Sequence, residues 1–430
     1  MDPLDNQKPW RVILAATIGN ALEWYDFIVY GFLAGTISSL FFPPNDPSMS
    51  LLLSTLSVGV AFVMRPLGGL VIGLYADRVG RKKALTLVIW MMFVSTALIA
   101  VAPTYATAGV AATVIVAIGR LLQGFSTGGE FGSATAFLIE YAPSNRRIFY
   151  GSWQMFAQAS GALASTIMGA ILFGLFSQSQ IELGAWRIAF MVGLLIGPVG
   201  YYIRRRLHEP SGSAVGASAV ERVTLWGTIT GYPREIVVGL AVSAAVNVMS
   251  YVIITHLPLF VHLSLGLPQA VAFNTLLVAV TVRMMLIPVF GLLADRIDGI
   301  TILRVALGTL TISVYPAYAW LIASPGYLSL TVVELWFAVL IAAAYAPAPT
   351  FLADLFPTYA RATGLSIVYN VAATIFGGFS LFFVTLIGEL TASKFAPAHY
   401  AVLFFMAALA SLQLIPRPAT TSSVASASAA

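Results

Sequence analysis

Gly73-Leu74-Tyr75-Ala76-Asp77-Arg78-Val79-Gly80-Arg81-Lys82-Lys83 is the stretch on which the fold turns. It is short, charged and bounded by glycine, and apolar runs of about 20 residues, long enough to cross a bilayer, stand on both sides of it. A shortened copy, Gly291-Leu292-Leu293-Ala294-Asp295-Arg296, returns at an offset of about 215 residues. Nearly the same offset carries Arg65 onto Arg283 and sets Glu140, Pro143 and Arg147 beside Asp354, Pro357 and Arg361. A chain that repeats in this way consists of two copies of one multi-span unit.

The composition agrees with this. Of 430 residues, 59% are hydrophobic and 9% charged, with a mean hydropathy of +0.89. Soluble domains carry about 25% charged residues, so a soluble enzyme is excluded. The absence of cysteine removes disulfides, thiolate metal sites and cysteine nucleophiles, and His208, His256, His262 and His399 show no metal-ligand spacing. A pI near 9.4 would suit a nucleic-acid partner only if the cations formed an exposed stripe, and they do not.

Twelve spans are expected at roughly 11–42, 49–75, 84–102, 107–141, 150–177, 185–204, 234–262, 268–293, 300–322, 327–355, 362–390 and 395–416. The loop cations then fall on one side: Lys8 and Arg11, Arg78 to Lys83, Arg146 and Arg147, Arg204 to Arg206, Arg222 and Arg234, Arg296 and Arg304, Arg361, and Arg417. The opposite loops hold Lys394 and, at a span edge, Arg187. The positive-inside rule therefore places both termini in the cytoplasm and requires an even number of spans. The first apolar segment is too long for a signal-peptide core and contains Glu23 and Asp26, so no cleaved signal is expected. The expected units are a six-helix half over 1–204, a cytoplasmic linker over 205–233 containing Pro210-Ser211-Gly212-Ser213, a second six-helix half over 234–416, and a disordered Ser/Ala-rich tail over 417–430. The fold class is an all-α membrane protein of twelve transmembrane helices in two pseudo-symmetric halves.

The loop at Gly73, its copy at Gly291 and Arg120-Leu121-Leu122-Gln123-Gly124 in the fourth span resemble the signatures of the major facilitator superfamily. Within it, Gly19-Asn20-Ala21-Leu22-Glu23-Trp24-Tyr25-Asp26-Phe27, Arg65-Pro66-Leu67-Gly68-Gly69 and Gly124-Phe125-Ser126-Thr127-Gly128-Gly129-Glu130 resemble the metabolite:proton symporter family, over nearly the whole chain. The resemblance implies alternating access between the halves in a bacterial inner membrane. It also implies a cytoplasmic latch in which Asp77 meets the start of the eleventh span and Arg81 meets Glu140. Gly73, Gly80, Arg147, Asp295, Asp354 and Arg361 complete the gating set. The second loop continues Arg296-Ile297-Asp298-Gly299 without the terminal basic cluster, which ranks its gating role below that of the first copy.

A charge near the bilayer centre costs at least about 2.5 kcal/mol on insertion scales, so each one needs a partner or a purpose. Asn20, Glu23, Phe27 and Tyr30 share one face of the first span, and Arg120, Gln123, Thr127 and Glu130 have the same spacing in the fourth. Either these stripes fix helix packing through ion pairs, or they line a central aqueous cavity, which a twelve-span repeat possesses. Asp26 is turned about 60° from Glu23 toward a neighbouring helix, and Arg65 is its expected partner. For Arg65 itself an ion pair and a substrate contact are both open. Arg283 has no acid at similar depth except Glu334, which stands about two turns from the outer surface and is expected to snorkel to water. An arginine without an acid points to an anionic substrate. Gln154, Gln158 and Gly161 share a face of the fifth span; Asn247, Ser250 and Tyr251 form a polar island in the seventh, and Asn370 and Thr374 another beside Tyr369 in the eleventh. Such amides and hydroxyls bond ligand oxygens or neighbouring helices. His256 and His262 are read as interfacial.

These residues lead to a proton-coupled symporter that imports a small organic anion, a di- or tricarboxylate such as citrate. Arg120 and Arg283 are the carboxylate-holding cations. Asn20, Gln123, Gln154, Gln158, Asn247, Tyr251, Tyr369 and Asn370 are the neutral contacts, and Glu23, Asp26 and Glu130 the proton carriers, with Arg65 opposite. The proton is the coupling ion, without cofactor or metal; the partners are the organic anion and the lipid bilayer, with no nucleic acid, and the protein is read as a monomer. A betaine or proline symporter is the alternative in the same class, weakened by a tail that is short and uncharged after Arg417. An uncoupled channel or facilitator conflicts with the intramembrane carboxyls, and a membrane enzyme lacks a catalytic constellation.

Overall fold

The computed structural model describes residues 9–42, 56, 59–72, 81–128, 130–195, 197–198, 225–357 and 360–415. Gly73, Asp77 and Gly80, most of the expected linker and the expected tail lie outside the described residues, as do the side chains of Arg81, Glu130 and Glu140. The first-copy latch falls wholly on these positions.

No strand occurs among the described residues, and the chain folds as twelve transmembrane helices in two pseudo-symmetric halves of six. The first half comprises α1 (Pro9–Phe32, continued by Ala34–Phe41), α2 (Gly59–Ile72), α3 (Arg81–Val101), α4 (Val110–Thr127, continued by Glu130–Tyr141), α5 (Arg147–Leu175) and α6 (Trp186–Gly193). The second comprises α7 (Pro233–Leu265), α8 (Gln269–Ile297), α9 (Gly299–Ala323), α10 (Tyr327–Tyr345, continued by Ala348–Asp354), α11 (Arg361–Ala372 to Ser380–Thr391) and α12 (Ala396–Ser411). Continuous helix is what hydrocarbon imposes, because every backbone donor and acceptor must be satisfied within the segment.

Several of the expected spans are interrupted. α1 breaks at Leu33 and α4 at Gly128; α7 contains a π-helical stretch, Met249–His256, and α10 turns at Ala346 and Pro347. With the repeat of about 215 residues, the break in α1 maps onto that in α7 and the break in α4 onto that in α10. A further π-helical stretch, Ala373–Gly378, interrupts α11. Apolar residues fill most of these breaks, so a hydropathy reading passes over them.

Within the first half, α2 and α4 meet backbone to backbone. A Cβ added at Gly124 would stand 1.5 Å from the Ala61 carbonyl oxygen, and one at Gly128 1.9 Å from that of Arg65. Small residues at such a seam let transmembrane helices approach closely. This contact brings Arg65 to α4.

The halves touch at both ends. On the cytoplasmic side, Asp295 at the end of α8 accepts hydrogen bonds from the backbone N–H groups of Ile148 (2.8 Å) and Phe149 (3.0 Å) in the first turn of α5. Beside it Arg147 Nη2 and Asp354 Oδ1 form an ion pair at 2.7 Å, and Thr350 Oγ1 donates to the Arg147 carbonyl. Nearer the middle, Asn370 Nδ2 donates to the Gly128 carbonyl (2.8 Å) and Thr374 Oγ1 to that of Phe62 (2.7 Å), while Phe131 stacks on Tyr369 at 3.4 Å. On the outer side Phe273 of α8 packs edge-on against Phe32 (4.8 Å) and stacks on Phe173 (5.1 Å). Among the described residues, contacts between the halves are therefore present at both ends.

The second loop has contacts of its own between the halves, through Asp295. Asp295 needs only a carboxylate and a helix N-terminus, whose N–H groups and dipole favour negative charge. The missing basic cluster is replaced by a one-residue turn: Asp298, at φ 141°, caps α9 by accepting from Thr301 N at 3.0 Å.

Candidate functional site

Two polar clusters lie side by side in the first half. In the first, Arg65 of α2 forms a buried ion pair with Glu23 of α1, and its Nε donates to Thr127 Oγ1 of α4 at 3.1 Å. The rings of Phe62 and Phe27 stand 4.8 and 5.3 Å from its guanidinium carbon, within cation–π reach. In the second, Arg120 Nη1 donates to Gln123 Oε1 (2.6 Å), and Gln123 Nε2 donates to Asp26 Oδ2 (3.2 Å), which also accepts from Thr96 Oγ1 of α3 (2.5 Å). The Tyr30 ring lies 4.0 Å from the Arg120 guanidinium carbon.

The expected pairing of Asp26 with Arg65 is thus wrong; Arg65 pairs with Glu23. The α2–α4 glycine seam aims Arg65 at the Glu23 face of α1, and the 60° turn carries Asp26 away, between α3, α4 and α6. There a Cβ on Gly193 would stand 2.3 Å from Asp26 Oδ1, a close approach that only glycine permits. Glu23 thus has the Arg65 guanidinium as its counter-charge, whereas Asp26 accepts through Oδ2 alone and its Oδ1 has no hydrogen-bond partner.

Across the midplane the second half presents Arg283 of α8, 3% exposed. The Tyr345 ring is 5.8 Å from its guanidinium carbon, its Nε and Nη1 have no hydrogen-bond acceptor, and no carboxylate among the described residues pairs with it. The acid suggested for it, Glu334, is 2% exposed and does not reach water. The snorkelling expectation fails because α8, α9 and α7 cover that face of α10.

The neutral residues lie between these clusters. Asn20 Nδ2 donates to the Gln154 carbonyl (3.2 Å), leaving both side-chain polar atoms of Gln154 without partners. Gln158 Nε2 reaches across to Tyr369 Oη at 2.9 Å. Asn247 bonds its own helix through Nδ2 and leaves Oδ1 free, as do Tyr251 at Oη and Asn370 at Oδ1. Tyr251 and Tyr369 are close enough to Glu23 and Arg65 to feel both charges. Buried polar atoms are normally paired, so this set of open donors and acceptors from both halves is the candidate binding site. Of the residues expected to gate, Arg361 donates through Nε to the Ala353 carbonyl at 3.1 Å.

The chain is 32% identical to a citrate-proton symporter of Salmonella typhi over 94% of its own length and 93% of that protein's. The chain belongs to the metabolite:proton symporter family of the major facilitator superfamily. A second member of that family, an ectoine/proline transporter of Corynebacterium glutamicum, is 31% identical over 94% of this chain and 82% of its own. Residues 12–209 match the sugar (and other) transporter model. In fold, the chain resembles the partially occluded inward-open xylose transporter XylE from E. coli, with a TM-score of 0.74 at 16% identity, covering 96% of this chain and 100% of that one.

Two residues of the family member's site escape a reading of the sequence. Thr96 is one hydroxyl in an apolar run, and Tyr345 is one aromatic among many; neither stands out until α3 and α10 are placed beside Asp26 and Arg283.

Proposed function

We propose that the protein is a proton-coupled symporter that takes up a small organic anion, a di- or tricarboxylate such as citrate, by alternating access. Arg283 carries this reading: a buried guanidinium with open donors and no acid partner among the described residues is a binding point for a substrate carboxylate. Gln154, Asn247, Tyr251 and Asn370 supply neutral contacts around it, and Glu23 and Asp26 are the coupling carboxyls. Curated relatives named as citrate-proton symporters support the substrate class. Arg283→Ala is expected to abolish uptake in proteoliposomes while the protein stays folded, and Arg283→Lys to restore it only in part, because lysine lacks the planar fork. Normal uptake by a folded Arg283→Ala protein would remove the basis of the reading.

An osmolyte symporter is the second reading, supported by the relatives named as proline/betaine transporters and by one local feature. Trp24, Phe62 and Tyr251 meet with ring centroids 5.6–5.9 Å apart, a group of faces suited to a quaternary ammonium. A thermal-shift series with citrate, tricarballylate, proline and glycine betaine separates the two, since only a ligand that binds the folded state raises its apparent stability.

A further inference from the structure

The carboxyls of the first half are met by donors. Glu23 faces Arg65, and Asp26 faces the Thr96 hydroxyl and the Gln123 amide. Glu334 in the second half is met differently. It lies 2% exposed on α10, and neither of its oxygens has a hydrogen-bond partner. The polar group that faces it is Thr275 of α8, whose hydroxyl already donates to the Val271 and Ala272 carbonyls at 3.2 and 3.1 Å. Two buried carboxyl oxygens without a hydrogen-bond partner and, among the described residues, without a counter-charge suit a neutral carboxylic acid better than a carboxylate, which needs donors.

The other titratable groups of the surrounding elements do not compensate a charge there. α8 carries Arg283 eight residues beyond Thr275, about 12 Å along the helix, and Tyr345 is a similar distance further along α10. α9 contributes Tyr318 and the π-helical stretch of α7 contributes His256, both buried near the outer end. No salt bridge to Glu334 exists among the described residues.

We propose that Glu334 is a second proton site, loaded from the outside, and that the outer end of the second half closes only when it is protonated. A bare carboxylate between α8 and α10 would have no donor and no counter-charge, so the helices can seal over it only in its neutral form. Opening the outer end admits water and lets the proton exchange. The proposal rests on proton coupling but not on the identity of the substrate, and its test needs no substrate.

Because the chain has no cysteine, spin labels can be placed at Leu183→Cys, in the α5–α6 connection, and Leu328→Cys, at the outer start of α10, both strongly exposed. In liposomes the double-labelled protein is expected to shift from a long to a short outer distance on acidification. In Glu334→Gln the short distance should be favoured at every pH, with any residual midpoint moved upward by about a pH unit or more, a tenfold change in proton activity. Infrared spectra of the unlabelled protein should lose one protonated-carboxyl band in the same variant. A folded Glu334→Gln protein with an unchanged distance titration, or with an unchanged carboxyl spectrum, overturns the proposal; a shift driven by sodium at constant pH would overturn it in favour of a cation site. Failure of citrate to bind would leave both measurements intact and would count only against the substrate reading.

Discussion

Arg65 and Arg283 are repeat mates, yet the first is held by Glu23 and Thr127 while the second, among the described residues, has the Tyr345 ring beside it and no carboxylate. In the function proposed above, that difference gives coupling to one half and anion binding to the other. Breaking the buried pair by Glu23→Gln should cost about 3–5 kcal/mol, because a buried guanidinium loses its counter-charge. The double change Glu23→Gln with Arg65→Gln should recover much of that stability in thermal unfolding. Neither variant should accumulate substrate from a pH gradient, whereas exchange of labelled for unlabelled substrate should persist in the double variant. Asp26→Asn should remain folded, since an amide oxygen still accepts from Thr96 and Gln123. Retained accumulation in both Glu23→Gln and Asp26→Asn would make these acids structural. The residue types and their depth were legible from the sequence, but partners were not. Helical spacing tells that Asp26 and Glu23 diverge by about 60°, not which neighbour stands on either side. Likewise, the distance of Glu334 from the end of its span says nothing of the helices that cover it.

Among the helices, the α2–α4 seam is the contact on which the Arg65 geometry depends. Gly124→Ala would push a methyl into the Ala61 carbonyl, 1.5 Å away, and overpacking of this kind costs about 1–3 kcal/mol. Thermal unfolding should record the loss, and uptake should fall because the Arg65–Thr127 hydrogen bond is displaced. Gly174→Ala on α5, where nothing lies within 4 Å, is the control and should be neutral or slightly stabilising. The glycines stood in the motifs read from the sequence, and so did the number and order of helices. What could not be read was the set of breaks at Leu33, Gly128, Met249–His256 and Ala346, since apolar composition predicts a helix and is silent on its hydrogen-bond register.

For the molecule as a whole, the contacts at the end where the loop cations gather are expected to bias which way it opens. Asp295 on the start of α5 and the half-exposed Arg147–Asp354 pair both join the halves, and each is worth about 0.3–1 kcal/mol by the usual scale for helix-terminus charges and surface pairs. Removing both, in Asp295→Ala with Asp354→Ala, should shift the population toward inward-facing forms by about 3- to 30-fold. Label distances across the cytoplasmic face measure this directly, and an unchanged distribution would show that the latch lies elsewhere. Two-half architecture was legible from the repeat alone. The contacts that join the halves at both ends were not, because they link residues more than 100 positions apart, such as Phe32 with Phe273.

The seam between the halves has a lopsided chemistry. Asn370, Thr374, Thr350 and Asp295 all reach from the second half to backbone atoms of the first, at Gly128, Phe62, Arg147, Ile148 and Phe149. A backbone carbonyl or N–H survives any substitution that keeps the helix, whereas a side chain does not. Inheritance should therefore act unequally on the two faces of this seam. Positions on the first-half face are free to drift as far as these hydrogen bonds are concerned, and those on the second-half face are held. In a saturation-mutagenesis scan, tolerance at Ile148 should exceed that at Asp295, so that one half keeps the record of the closing motion while the other is rewritten.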